Sequence, residues 1–121
     1  MVSRTEKPLY WVGSSRRDVR NFPAEARRNA GFNLDRVQSG RMPRDWKPLD
    51  TVAPGVQEIR ITTNEGGSRE HRVVYVARFP EAVYVLHAFE KKSRKTSEHD
   101  LDVAKARYSE LLRVRTTQKE R

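Results

Sequence analysis

Apolar residues recur at helical spacing in the first third of the chain. The stripe consists of Phe22, Ala26, Ala30, Leu34 and Val37. Intervals of three and four residues place these side chains on one face of a helix, predicted over residues 23–38 and ended by Ser39 and Gly40. Just upstream, Ser14 or Ser15 can cap a short helix over residues 16–21. The two helices are expected to form a hairpin.

From residue 55 onward the apolar period becomes that of β-strands. The three segments richest in Val, Ile, Tyr and Phe are 56–62, 71–79 and 82–89. Residues 64–67 accept positive φ and residues 79–81 contain Pro80, so both connections read as tight turns. We therefore expect an antiparallel meander of three strands. A short strand at residues 9–12 is expected to join one edge.

A last helix is predicted from its capping pattern. Ser97, followed three residues later by Asp100, resembles a capping box, and the polar tail after Val114 is expected to fray. Its apolar stripe consists of Leu101, Ala104, Tyr108 and Leu111. The order predicts an α+β domain: a small, mostly antiparallel sheet made of the short N-terminal strand and the meander, a helical hairpin on one face and a C-terminal helix. With the helices packed on one face, the other face is expected to be partly open.

Composition narrows the class of partner. The 121 residues suit a single domain, and 25 Lys and Arg against 16 Asp and Glu give a formal charge of +9. A basic patch for a polyanion is therefore expected. The absence of cysteine excludes disulfides and the usual zinc sites. No apolar run resembles a signal peptide or reaches the roughly 18 residues of a membrane span, which favours a cytoplasmic protein.

The strand predicted at residues 82–89 leads into a cationic run. Residues 91–95, Lys91-Lys92-Ser93-Arg94-Lys95, carry four positive charges on five residues. The end of a buried strand holds cationic residues in fixed positions, and binding a phosphate backbone in one geometry requires this. The cationic run is therefore the first candidate nucleic-acid contact.

Strand alternation adds two arginines to this candidate surface. Glu58 and Arg60 point to one side of their strand, and in the next strand Arg72 shares a side with Val74 and Val76. If Arg60, Arg72 and the pair Lys91-Lys92 meet on one concave surface, they surround a space the size of a phosphodiester. The alternative is that Glu58 and Arg60 form a solvated surface pair, which contributes little stability.

The three histidines, His71, His87 and His99, are isolated from one another and lack the spacing of a metal site. Neither a metal nor another cofactor is expected. His87 is a candidate catalytic residue, because the ordinary pKa of histidine is suited to acid-base catalysis. Its alternation partners are Val83, Val85 and Phe89, so a packed or capping role is an equal alternative.

Five segments, in order along the chain, resemble signatures of the RelE/ParE toxin superfamily. Within this superfamily the chain is most similar to the phage-derived HigB-like branch. The five segments are residues 46–49 (WKPL), 55–60 (GVQEIR), 72–75 (RVVY), 85–96 (VLHAFEKKSRKT) and 104–107 (AKAR). The resemblance spans about residues 8–115 of a single domain taken as residues 1–121. It implies a RelE-like fold and a toxin of a type II toxin-antitoxin pair, held inactive by a protein antitoxin, expected to be a helix-turn-helix protein.

The activity implied by this resemblance is metal-independent cleavage of messenger RNA through attack of the neighbouring 2′-hydroxyl, in many members on the ribosome. Arg72 matches the arginine next to the scissile phosphate, and Arg60 the arginine of the preceding strand. Lys91 and Lys92 match the lysine pair after the last strand, with Arg94 and Lys95 as further RNA contacts. The alternative for the lysine pair is a run of surface charge that only increases solubility. Neither a small-molecule ligand nor a membrane partner is expected.

Two other functions stay open at the level of sequence. A ParE-like toxin poisons DNA gyrase by protein contact and needs no catalytic cluster. A non-catalytic basic protein binds nucleic acid or ribosomes, with Trp11 and Trp46 as candidates for stacking on bases. Trp46 belongs to the segment Trp46-Lys47-Pro48-Leu49, which is expected to be a loop, so a packing role is favoured for its side chain. The family's C-terminal catalytic tyrosine or histidine has no counterpart after Lys95 except His99, and Tyr108 lies on the apolar stripe, so the general acid and base are unassigned.

Overall fold

The computed structural model describes residues 6–64 and 66–119, and shows an α+β fold with a five-stranded mixed sheet. The strands are β1 (Leu9–Trp11), β2 (Trp46–Pro48), β3 (Val56–Thr63), β4 (Arg69–Val76) and β5 (Val83–Lys91). The helices are α1 (Ser15–Arg20), α2 (Ala24–Gln38) and α3 (Glu98–Lys119). The order across the sheet is β1-β5-β4-β3-β2, with β1 parallel to β5 and the other pairs antiparallel.

The predicted meander is confirmed as β3, β4 and β5, and its first turn contains Gly66 and Gly67 at φ 74° and 102°. The expectation that Trp46-Lys47-Pro48 is loop is wrong, because these residues form the edge strand β2 against β3. Three residues ending in proline give almost no strand signal, and Pro48 has no N–H to donate to a ladder. Trp46 is half-buried there, and Trp11 packs against the core beside α1 and α2.

Helices cover both faces of the sheet. The helical hairpin buries its predicted stripe against β3, β4 and β5 on one face, where Val73 and Tyr75 point. On the other face α3 buries Ala104, Tyr108 and Leu111 against a second core that includes Val74 and Val76. The expectation that all the helices pack on one face is therefore wrong, because β4 is apolar on both sides and each side needs a cover.

A β-bulge in β5 links α3 to the sheet. Val74 pairs with His87 and Tyr75 with Val85, so Leu86 is the extra residue. Arg107 of α3 donates to the Leu86 carbonyl oxygen at 2.9 Å and to Ser14 Oγ at 3.0 Å. Gly13 leaves room for this side chain, since a Cβ there would lie 2.6 Å from Arg107 Nε. The bulge carbonyl is thus satisfied by a residue that also fixes the start of α1.

Both ends of α3 are tied down. The Asp100 N–H donates to Ser97 Oγ at 3.1 Å, which confirms the predicted capping box. The tail after Val114, expected to fray, continues as helix to Lys119. Arg115 pairs with Glu81 at 2.6 Å and lies 3.8 Å above the Phe79 ring, and its hydrogen bond lowers the pKa of Glu81 to about 2.

No helix in residues 6–64 and 66–119 is long and apolar enough to span a membrane.

Packing of α3 predicts different effects for the same substitution one turn apart. Leu111 is 5% exposed and Val114 39%. Leu111→Asp is expected to lower the free energy of unfolding by about 3 kcal/mol or more, because it removes a packed side chain and buries an unpaired charge. Val114→Asp is expected to change it by less than about 1 kcal/mol. Urea denaturation measures both; equal losses would contradict the packing described here.

Candidate functional site

Charged side chains cross one face of the sheet near the turn between β3 and β4. The register pairs are Lys47 with Glu58, Arg60 with Arg72, and Glu70 with Lys91. Residues that pair directly point to the same face. The register therefore places Arg60, Arg72 and Lys91 on one face, the face that α3 covers farther along the strands.

Arg72 lies at the centre of this row and is only 4% exposed. Its Nε is 3.3 Å from Glu58 Oε1, and its Nη2 donates to Glu70 Oε1 at 2.7 Å. Nη1 donates to the His71 carbonyl oxygen at 3.2 Å. The guanidinium is thus a buried cation held between two carboxylates.

Glu58 is the inner partner and is fully buried. Lys47 Nζ lies 3.7 Å from its Oε1, and the Thr96 hydroxyl donates to its Oε2 at 3.4 Å. The alternative that Glu58 forms a solvated pair with Arg60 is wrong, since Arg60 pairs with Asp45 at 2.9 Å. Glu58 is enclosed because β2 lies on one side of it, β4 on the other, and the segment after β5 folds back over it through Thr96.

Glu70 is the outer partner of Arg72, with 47% of its side chain exposed. Its pKa is lowered from the ordinary value, first by the hydrogen bond from Arg72 and then by the charge of Arg72, with smaller contributions from Lys91 and Arg60. One solvent-accessible carboxylate thus occupies a position favoured by three cations. A phosphate oxygen would be favoured there for the same reason.

The cationic run borders an open cleft of about 610 Å³ beside Glu70. Its cationic lining consists of Arg69, Lys91, Lys92 and Arg94. Lys95 lies instead in a neighbouring depression of about 220 Å³, which Lys91 and Lys92 also line. Sequence reasoning missed Arg69 and Glu70 because the predicted strand began at residue 71; pairing the strands in register is the signal that would have found Glu70.

His87 faces α3 because of the bulge, away from Val83 and Val85, with which simple alternation had grouped it. Its Nε2 lies 2.7 Å from Asp100 Oδ1, and its ring stacks on Phe89 with centroids 4.9 Å apart. Burial lowers its pKa, while the hydrogen bond to Asp100 opposes this shift. This is the geometry of a packed histidine that fixes the start of α3.

The other two histidines lie apart from the cleft's charge cluster. His71 is buried on the opposite face against Phe22, with ring centroids 4.5 Å apart, and burial lowers its pKa. His99 is exposed in the first turn of α3. Among the described residues, no three His, Asp or Glu side chains are grouped as a metal site would require.

Comparison with protein-family models identifies a match over most of the chain. A model described as phage-derived protein Gp49-like (DUF891) matches residues 17–109, about three quarters of the chain. The matched range contains the whole row of charges and the cationic run. Comparison with curated proteins finds no match.

The two buried histidines predict a pH dependence of stability. Their pKa values are lower in the folded protein than the roughly 6.5 of an unfolded chain, so the unfolded state binds protons first on acidification. The free energy of unfolding is expected to be maximal above about pH 6.5 and to fall from there to pH 5. Urea denaturation of His71→Leu should show a weaker dependence, with exposed His99→Gln as the control. A wild-type stability that is constant from pH 7.5 to 5 would contradict this.

Proposed function

The chain belongs to the Gp49-like family of phage-derived proteins, within the RelE/ParE-like toxins of toxin-antitoxin systems, and we propose that it cleaves messenger RNA. Membership implies a cognate antitoxin, which we propose is a helix-turn-helix protein that masks the cationic cleft with acidic residues. The observation that carries the proposal is the cluster of Arg72, Lys91 and Arg60 around one solvent-exposed carboxylate, Glu70. The ribosome is the proposed setting of the reaction.

The chemistry is a displacement at phosphorus. The 2′-hydroxyl of the ribose gives its proton to water while its oxygen bonds to the adjacent phosphorus. The bond to the 5′-oxygen breaks and that oxygen takes a proton from water, so the products are a 2′,3′-cyclic phosphate and a 5′-hydroxyl. Negative charge builds on the non-bridging oxygens in the transition state, so fixed cations beside them lower the barrier. Arg72 is the proposed principal donor, with Lys91 and Lys92 adding charge.

Binding is proposed to exchange one anion for another. The phosphate takes the place of Glu70 at Arg72 Nη2, while Glu58 keeps Arg72 Nε in position from the buried side. The guanidinium therefore meets the substrate already oriented, and little reorganisation accompanies the reaction.

Other cations of the site extend the RNA contact. Arg94 and Lys95, both exposed, are proposed to hold phosphates on either side of the scissile one, and Arg60 to contribute once its pair with Asp45 opens. His87 is proposed as a positioning residue, because its contact with Asp100 fixes the start of α3 and thus the cationic run that precedes it.

Arg72→Lys is the variant that tests the proposed donor. It keeps a charge beside Glu58 but removes the forked donor, whereas Arg72→Ala would leave a buried carboxylate short of its partner and destabilise the fold. Cleavage of a ribosome-bound message is expected to slow on the order of a hundredfold. Primer extension measures the cleavage rate, and thermal denaturation checks the fold.

Lys91→Ala with Lys92→Ala is the companion variant, and Lys105→Ala on the exposed side of α3 is its control. Undiminished cleavage by the Arg72→Lys, Lys91→Ala, Lys92→Ala combination would refute the site. Growth arrest by the wild type with gyrase-linked DNA breaks and intact RNA would establish a gyrase poison instead.

Glu70→Gln tests the exchange of anions. Removing the carboxylate that competes with the phosphate is expected to tighten RNA binding about fivefold, equivalent to roughly 1 kcal/mol. Asp35→Asn makes the same charge change at an exposed position of α2 that does not line the cleft, and is the matched control. Binding to a non-cleavable 2′-O-methyl RNA measures both; equal tightening would show an effect of net charge alone.

A further inference from the structure

A second cationic surface lies on α1, which packs through Val19 into the core on the face of the sheet opposite α3. Arg16, Arg17 and Arg20 are all exposed, while Val19 packs into the core. At 3.6 residues per turn these three arginines fall within a sector of about 100° on one side of the helix. We name them the α1 stripe.

The three arginines of the α1 stripe lie together and form no ion pair with a carboxylate of the described residues. Arg60 and Arg115, by contrast, pair with Asp45 and Glu81. Within residues 6–64 and 66–119, no carboxylate lies within ion-pair distance of the stripe. Asp18, on the same helix, instead accepts a hydrogen bond from Ser14 Oγ at 2.7 Å.

A further cation joins the stripe from α2. Arg27 Nη1 donates to the Arg20 carbonyl oxygen at 3.3 Å, which brings its side chain to the end of α1. Concentrating uncompensated charge is unfavourable in the free protein, so a polyanion is the ligand that this arrangement suits.

The side chains around the stripe favour a phosphate backbone over a protein. An open depression of about 500 Å³ is lined by the stripe together with Gly13, Ser14 and Asn21. Protein interfaces need apolar or aromatic anchors at their centre, and single-stranded nucleic acid needs aromatic side chains for stacking. None of these lining residues is apolar and large, or aromatic.

We propose that the α1 stripe binds the phosphate backbone of base-paired RNA. Duplex RNA is recognised through shape and backbone, and arginine forks suit its phosphates. Arg16 and Arg20 are about 6 Å apart along the helix axis, so each can reach a different phosphate. Because α1 packs on the opposite face of the sheet from α3, the stripe and the cleft can hold different RNA segments.

Duplex binding by the α1 stripe needs no reaction at the cleft, so it is a separate activity from the proposed cleavage. The test measures binding of a 20-base-pair RNA hairpin to the full chain across a salt series. Replacing the stripe by Arg16→Gln, Arg17→Gln and Arg20→Gln is expected to lower the slope of log affinity against log salt by about 3, one unit per lost phosphate contact. The matched control changes the same charge at scattered exposed positions: Arg41→Gln, Lys105→Gln and Arg113→Gln.

A variant with Arg16→Lys, Arg17→Lys and Arg20→Lys is expected to retain the slope, since it keeps the charge. Should the glutamine variant fail to fold, Arg17→Gln alone should still lower the slope by about 1. The same difference is expected in a Lys91→Ala, Lys92→Ala background, so failure of the cleavage site does not decide this result. An equal loss of slope in the scattered control would overturn the proposal. Unchanged hairpin binding by the glutamine variant, together with lost antitoxin binding, would also overturn it and would make the stripe a protein contact.

Discussion

A guanidinium that is almost completely buried needs fixed anions around it, and the arrangement at Arg72 follows from this constraint. Its two carboxylate partners differ in kind: Glu58 is sealed inside, and Glu70 stands at the edge of solvent. Removing one member of a buried ion pair costs several kcal/mol, so the inner pair is fixed as long as the fold persists. Water already reaches the outer partner, and we propose that a phosphate can take the place of Glu70 at this ion pair.

The surrounding elements hold this arrangement in place. Strand β2 brings Lys47 to Glu58, and Thr96 closes over the same carboxylate from the segment that carries the cationic run. The bulge in β5 turns His87 toward Asp100, which anchors the first turn of α3. Most of these contacts join residues that are distant in sequence, which is why the site depends on the whole sheet and not on one motif.

Local periodicity predicted the elements well. The apolar stripe of the hairpin, the meander and the capping box at Ser97 each depend on neighbours in sequence, and each is found. Local periodicity could not predict three features. Strand β2 is too short to show a pattern, and the bulge breaks the alternation of side chains at Leu86. The face of the sheet on which α3 packs depends on tertiary contacts.

The candidate site was predictable in its cations but not in its anions. Arg60, Arg72 and the lysine pair stand out from charge and strand pattern, and the register brings Arg60, Arg72 and Lys91 to one face. The carboxylates that decide how Arg72 is presented emerge only when the strands are paired. Glu70 lies outside the predicted strand, and the burial of Glu58 requires both neighbouring strands.

The exchange of Glu70 for a phosphate is tested most directly by the pKa of the Glu70 carboxyl group, measured by carbon NMR with and without a bound 2′-O-methyl RNA. In the free protein, the hydrogen bond from Arg72 holds this pKa below its ordinary value. Bound RNA is predicted to raise it, because Arg72 turns to the phosphate and a new negative charge lies nearby. A pKa that stays lowered while the RNA is bound would contradict the account.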